Sequence, residues 1–283
     1  MKTNPVSAII RGVSGVIGRA HRGEAMFKWT LFAMVLLVLP SGCATHRQSS
    51  KNKDPMPVFS DGTIILFQGD SITDGNRGRN KDPNHILGHG YQAEIAARFG
   101  ADLAERNLTF MNRGVSGNTV AGLARRWQTD TIDLKSGILS ILIGVNDLGS
   151  GVSAEQYEHR YDQLLADTTN ALPNVKFVLG EPFGLPVGGK KANWEDYRKQ
   201  LLVRIAIVNK LGEKYHAPVV HYQKMFEAAT NRVPTDYWIW DGIHPTYSGH
   251  QLMADEWVRT VRAYWPEKIV PGKPAADPSK TAS

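Results

Sequence analysis

Only one cysteine, Cys43, occurs in the 283 residues. A single thiol forms no internal disulfide, and zinc sites built on cysteine are excluded with it. Charged residues make up a modest 21% and hydrophobic residues 42%, which excludes a chain disordered throughout. Long apolar runs are scarce. The one clear run, WTLFAMVLLVLP at residues 29–40, falls short of the roughly 20 residues a spanning helix needs, so a multi-span membrane protein is excluded. Internal repeats and interdomain linkers are absent, and the length suits one large domain. The net charge of +6 is unevenly placed. Lys2, Arg11, Arg19, Arg22 and Lys28 face only Glu24 before residue 43, so the remaining chain is close to balance. No nucleic-acid footprint is left.

What is present begins with an address. Lys28, the apolar run and the small residues Ser41 and Gly42 have the layout of a secretory signal. The run ends in Leu39-Pro40-Ser41-Gly42-Cys43-Ala44, which resembles a bacterial lipobox with Pro40 displacing the favoured Leu by one place. That resemblance implies export, acylation of Cys43 and a membrane-anchored lipoprotein on the periplasmic or cell-surface side. An ordinary cleaved signal or an uncleaved anchor that happens to contain a cysteine is the alternative, and translation can start at Met1 or Met26. The expected organisation is a leader at 1–43, a flexible tether at 44–59, a folded domain at 60–265 and a disordered tail at 266–283.

Within the domain, apolar runs at Thr63–Phe67, Leu108–Met111, Ile138–Ile143, Val175–Leu179 and Pro218–Tyr222 read as strands buried on both faces. Helical patterns follow them at Tyr91–Phe99, Val120–Trp127, Ala154–Leu172, Trp194–Tyr215 and Ser248–Tyr264. This alternation predicts a single doubly wound α/β domain with a parallel sheet flanked by helices. Ligands in such sheets bind beyond the carboxyl ends of the strands.

Four blocks fall at those ends. The first strand runs into Gln68-Gly69-Asp70-Ser71, which places the Ser71 hydroxyl and N–H at a strand-to-helix turn. Taken alone, Gly-Asp-Ser is ordinary helix-cap material. Near the end, Trp240-Asp241-Gly242-Ile243-His244-Pro245 puts an acid and a base three residues apart, with Pro245 stiffening the loop. A serine nucleophile needs that base, and the base needs an acid to fix its tautomer. Asp236 is a weaker candidate acid. The second strand ends in Asn112-Arg113-Gly114-Val115-Ser116-Gly117-Asn118, where a glycine lets backbone approach a substrate. The third ends in Gly144-Val145-Asn146-Asp147, where the Asn146 amide can donate to a developing oxyanion.

In this order the blocks resemble the SGNH (GDSL) hydrolase family across about residues 60–264. The resemblance implies a five-stranded, flavodoxin-like three-layer sandwich. It also implies Ser71 as nucleophile, Asp241 and His244 as acid and base, and an oxyanion hole from Ser71, Gly117 and Asn146. No metal or organic cofactor is implied. The segments GDSITDGNR, LGHGY, NRGVSGNTVAGLARRW, ILIGVND, EPFGLP and WDGIHPTYSGH are similar to a bacterial subgroup that includes acetylxylan esterases. They depart from it at Gly242, where an Arg can stand, so the sugar stays open.

The expected function is therefore hydrolysis of short acyl esters, above all O-acetyl groups of a carbohydrate such as xylan, through an acyl-enzyme. A lysophospholipase or thioesterase with the same triad is the alternative, and a non-catalytic carbohydrate-binding protein a further one. Candidate substrate-binding residues are Asp70, His89, Trp127 and Trp240, with Trp238 a further ring available for stacking. His85 and His89 have i,i+4 spacing, but Pro83 and Gly88 argue against a helix and so against a metal site. The implied partner is an acetylated carbohydrate or another small ester. Nucleic acid is not expected, the lipid anchor is the only membrane contact, and a homo-oligomer is left open.

Overall fold

The computed structural model describes residues 53–54, 56–80, 82–266 and 268–269. The leader with Cys43, the tether before residue 53 and the tail after residue 269 lie outside the described residues. In chain order the elements are β1 (Lys53–Asp54), β2 (Ile64–Gly69), α1 (Ser71–Asp74), α2 (Tyr91–Asp102), β3 (Thr109–Asn112), α3 (Val120–Ala124) and α4 (Trp127–Asp130). They continue with β4 (Ile138–Leu142), α5 (Val145–Gly149), α6 (Ala154–Ala171), β5 (Lys176–Gly180), α7 (Trp194–Lys214), β6 (Val219–Val220), α8 (Tyr222–Ala229), α9 (Tyr247–Tyr264) and β7 (Lys268–Ile269).

Five strands form one parallel sheet in the order β3-β2-β4-β5-β6. This is the doubly wound α/β architecture read from the sequence. Side chains alternate along each strand, and the two sets enter separate cores. Ile65 and Phe67 of β2 join the core formed with α2, α8 and α9, which supply Phe99, Phe226 and Trp257. Leu66 points the other way, to a core with Leu123 of α3, Tyr161 of α6 and Val208 of α7. The polar Ser140 on β4 is accommodated because its hydroxyl accepts the Trp257 indole N–H at 3.0 Å.

Local signals fix the helix starts. Ser153 and Gln156 form a capping box on α6, and Thr119 and Thr246 cap α3 and α9. The helix expected over Val120–Trp127 is broken. Arg126 leaves helical geometry and turns inward, donating to the Arg113 carbonyl at 2.7 Å and to Asn118 Oδ1 at 2.8 Å. The last strand is also shorter than the apolar run suggested, because Tyr222 begins α8 and buries its ring with Phe183 and Tyr91.

The boundaries need two corrections. The end of the expected tether belongs to the domain: Met56 and Phe59 are fully buried, and the Phe59 ring packs edge-on against Phe99 at 5.2 Å. Two residues of the expected disordered tail are ordered as β7, paired antiparallel with β1. Backbone pairing and apolar burial offset the ordering entropy that a polar, proline-bearing composition led one to expect would win.

Candidate active site

Strand β2 leads into the serine. Gly69 ends β2 where a side chain could not fit, since a Cβ there would lie 2.4 Å from the Leu142 carbonyl and 2.4 Å from Thr73 Oγ1. Asp70 caps the following turn, its Oδ1 accepting the Ile72 N–H at 3.0 Å. Ser71 is then the first residue of α1, where the N–H has no intrahelical partner and points outward with the helix start.

The last loop supplies the base. Asp241 Oδ1 accepts the N–H of Ile243 at 3.0 Å and of His244 at 2.8 Å, while Oδ2 meets His244 Nδ1 at 2.6 Å. One carboxylate thus folds the tight turn and orients the ring. A carboxylate only accepts, so Nδ1 carries the proton and Nε2 is left with its lone pair. That Nε2 lies 2.8 Å from Ser71 Oγ, across 173 residues of sequence. Burial acts to raise the Asp241 pKa, but the hydrogen bonds from His244 and Ile243 outweigh it and hold the carboxyl below its ordinary value. Asp236, the weaker candidate, sits exposed on a neighbouring turn.

Two further strand ends lie on the same edge of the parallel sheet. Gly117 has a φ of +79°, the left-handed region that glycine enters without strain, and is exposed. Asn146 lies in α5, half-buried, and donates one amide hydrogen to the Asn118 carbonyl at 3.0 Å. Its second amide hydrogen stays available, and the bond ties it to the residue after Gly117. Asp147 below it is fully buried and accepts the Val120 N–H with both oxygens at 3.2 Å. Burial raises its pKa to about 6.

The candidate substrate-binding residues divide. Trp240 is 62% exposed and lies stacked on His244, with centroids 6.1 Å apart and planes 23° apart. His89 is exposed beside Tyr247, itself 81% exposed. Trp127 is not at the site: it is buried in the core, with its indole N–H on Thr168. Trp238 is buried too and donates to the Ala229 carbonyl. Asp70 is 1% exposed and cannot reach a substrate. An indole has much apolar area to hide, and a helix-cap carboxylate is spent on its own turn.

Sequence reasoning passed over His250. It is buried on α9, and its Nδ1 accepts the Tyr91 N–H at 3.1 Å, capping α2 from another element. Burial first, and the nearby His89 and His244 second, push its pKa down to about 4. No local signal in the sequence pairs residues so far apart. Among the described residues, no cluster of three or more His, Cys, Asp or Glu side chains is placed to hold a metal ion.

This fold, with a Ser-His-Asp relay on its carboxyl edge, defines a serine-type ester hydrolase. The GDSL-like lipase/acylhydrolase family model matches residues 67–252, and the chain belongs to that family of carboxylic ester hydrolases. Among known proteins it is 28% identical to an acetylxylan esterase from Geobacillus stearothermophilus over 72% of this chain and 96% of the relative. The crystal structure of Axe2, an acetylxylan esterase from that organism, superposes with a TM-score of 0.65 at 29% identity, covering 72% of this chain and 95% of that one. A GDSL-like lipase structure from Parabacteroides merdae gives a TM-score of 0.68 at 36% identity, covering 72% of this chain and 97% of that one.

Proposed function

We propose that this protein is a serine esterase that removes acetyl groups from a carbohydrate such as xylan or its oligosaccharides. The observation that carries the reading is the unbroken relay from Ser71 Oγ to His244 Nε2 at 2.8 Å and from His244 Nδ1 to Asp241 Oδ2 at 2.6 Å. The similarity to an acetylxylan esterase supports the acyl group and the substrate class.

In the reaction, His244 Nε2 takes the Ser71 proton as Ser71 Oγ attacks the acetyl carbonyl. Asp241 holds the imidazolium that forms. The developing oxyanion is met by the N–H groups of Ser71 and Gly117 and by the free amide hydrogen of Asn146. His244 then gives its proton to the leaving sugar hydroxyl. Water, deprotonated by the same histidine, hydrolyses the acetyl-enzyme and frees Ser71. The exposed ring of Trp240 beside His244 offers a face for a sugar. Export and acylation at Cys43 belong to the same proposal, supported by the run and the small residues that precede that cysteine. Such an enzyme works on glycans close to the cell surface.

The test is a substrate panel with acetylated xylan, p-nitrophenyl acetate and p-nitrophenyl octanoate, run with wild-type and Ser71→Ala protein. Turnover should be lost in the variant without loss of fold, and kcat/KM should fall steeply from acetate to octanoate. A lipase would instead gain roughly 0.8 kcal/mol for each CH₂ it buries. Preference for octanoate, or a tenth of wild-type kcat left in the variant, overturns the reading.

A further inference from the structure

Asp74 lies in the GDSITDG segment, yet the relay makes no use of it. It is the last residue of α1, the helix that Ser71 opens, and its side chain is only 4% exposed. Five hydrogen bonds converge on this one carboxylate. Arg79 Nη2 donates to both oxygens, at 3.0 and 2.8 Å, and the Arg77 N–H donates to Oδ1 at 3.2 Å. Ser116 gives Oδ2 two more, from its backbone N–H at 3.0 Å and from its hydroxyl at 3.0 Å. Ser116 immediately precedes Gly117.

The entry of that loop is fastened to the same helix and to the turn that follows it. Gly114 packs so closely that a Cβ there would lie 2.4 Å from the Asp74 nitrogen. Arg77 Nε donates to the Gly114 carbonyl at 2.9 Å, and Asn112 Nδ2 donates to the Thr73 carbonyl at 2.7 Å. These contacts hold the loop's entry. Beyond Gly114, toward Gly117, the Val115 N–H donates to the Gly69 carbonyl at 3.1 Å, and the side-chain link from the nucleophile's helix is the Asp74–Ser116 pair. Gly117 itself makes no side-chain contact, and an added Cβ there would meet nothing within 4 Å. An exposed glycine in a left-handed turn is free to move unless both its neighbours are held. Asn118 is held by Asn146 and Arg126, and Ser116 by Asp74. A donor that must sit within a few tenths of an ångström of a developing oxyanion cannot tolerate that freedom.

We propose that Asp74 is a positioning residue of the esterase reaction. From the helix that carries the nucleophile, it fixes Ser116 and with it the Gly117 N–H, so that Ser71 and the oxyanion donor move as one body. Charge-assisted bonds suit the task, being shorter and stronger than neutral ones. Arg79 balances the buried charge. The proposal rests on the reading of Ser71 as nucleophile and Gly117 as donor.

The experiment measures steady-state hydrolysis of p-nitrophenyl acetate and the rate at which a p-nitrophenyl phosphonate labels Ser71, in wild-type, Asp74→Asn and Ser116→Ala protein. Phosphonylation drives negative charge into the same oxyanion hole but needs no sugar contacts. Asp74→Asn should lower kcat by about 10–100-fold with KM within about twofold, and slow labelling in parallel, less than the ~10²–10³ lost when a donor is removed outright. Ser116→Ala keeps its N–H bond and should lose about two- to tenfold in kcat, as expected for one hydrogen bond among several. Unchanged kcat in a folded Asp74→Asn protein overturns the proposal. A rise confined to KM, or lowered kcat with unchanged labelling, does the same. If Asp74→Asn does not fold, Ser116→Ala decides, and an unchanged kcat there counts against Asp74. Wild-type protein that the phosphonate never labels at Ser71 overturns the esterase reading itself, which separates the two failures.

Discussion

The ring of Trp240 lies nearly parallel to that of His244, 6.1 Å away, with most of its surface open to solvent. A large apolar face kept wet beside the relay has no core to serve, and exposed aromatics of this kind mark contact surfaces. Trp240→Ala should therefore raise KM for acetylated xylo-oligosaccharide by about tenfold, equal to about 1.4 kcal/mol. The loss should exceed that on p-nitrophenyl acetate at least several-fold, because the small ester has no sugar to stack. Equal losses on both substrates would place Trp240 in support of His244 instead.

His250 caps α2 as a buried neutral ring, with its pKa lowered from 6.5 to about 4. Between those values the unfolded chain binds a proton that the folded one refuses, so stability falls as pH drops from about 6.5 to about 4. The full loss is of order 3 kcal/mol, at roughly 1.4 kcal/mol per unit. His250→Gln keeps an acceptor for the Tyr91 N–H but does not titrate. Melting temperatures at pH 7.5, 5.5 and 4.5 should fall more for wild type than for the variant. Parallel curves would refute a neutral buried His250.

Asp70 has the opposite sign. Burial, assisted by nearby Asp147, raises its pKa from 3.8 to about 7. The folded state then holds the proton more tightly than the unfolded one. Its contribution is complete below about pH 3.8 and is lost as pH rises through about 7. Asp70→Asn keeps an oxygen for the Ile72 N–H and removes the charge. The variant should gain stability relative to wild type at pH 8, by roughly 2–4 kcal/mol, and little at pH 4. Urea denaturation at the two pH values measures it. Since Asp70 is shut away from solvent, KM for acetyl esters should stay within about twofold. A large KM rise would return Asp70 to the substrate site.

Much of the site was legible because its residues sit in short segments whose chemistry is local. Asp241 and His244 are three apart, and one carboxylate satisfies both the turn and the ring. Ser71 stands where an apolar strand meets a helix cap. The strands were legible for the same kind of reason, as in the run at Ile138–Leu142, apolar but for Ser140. What was hidden depended on partners distant in sequence. Trp127 reads as a sugar platform until α6 brings Thr168 to its indole N–H. Met56 and Phe59 read as tether until α2 offers Phe99 to pack on. Tyr222 reads as the end of a strand until Phe183 and Tyr91 bury its ring. The helix at Tyr222–Ala229 was within reach, since Tyr222, Phe226 and Ala229 fall on one face.

Residue order alone determined the alternation of strands and helices, hence the parallel sheet and the edge on which chemistry would occur. It also determined the tight Asp241–His244 turn, because hydrogen bonding across three residues needs no help from the rest of the chain. Tertiary structure decided which of the polar groups meet. It brought Ser71 within 2.8 Å of a histidine 173 residues away and tied Asn146 to Asn118. It set Asp74 against Ser116 and gave Tyr91 a histidine cap from α9. Such pairings follow from where the packed helices leave each loop, and two cores on opposite faces of the sheet fix those positions.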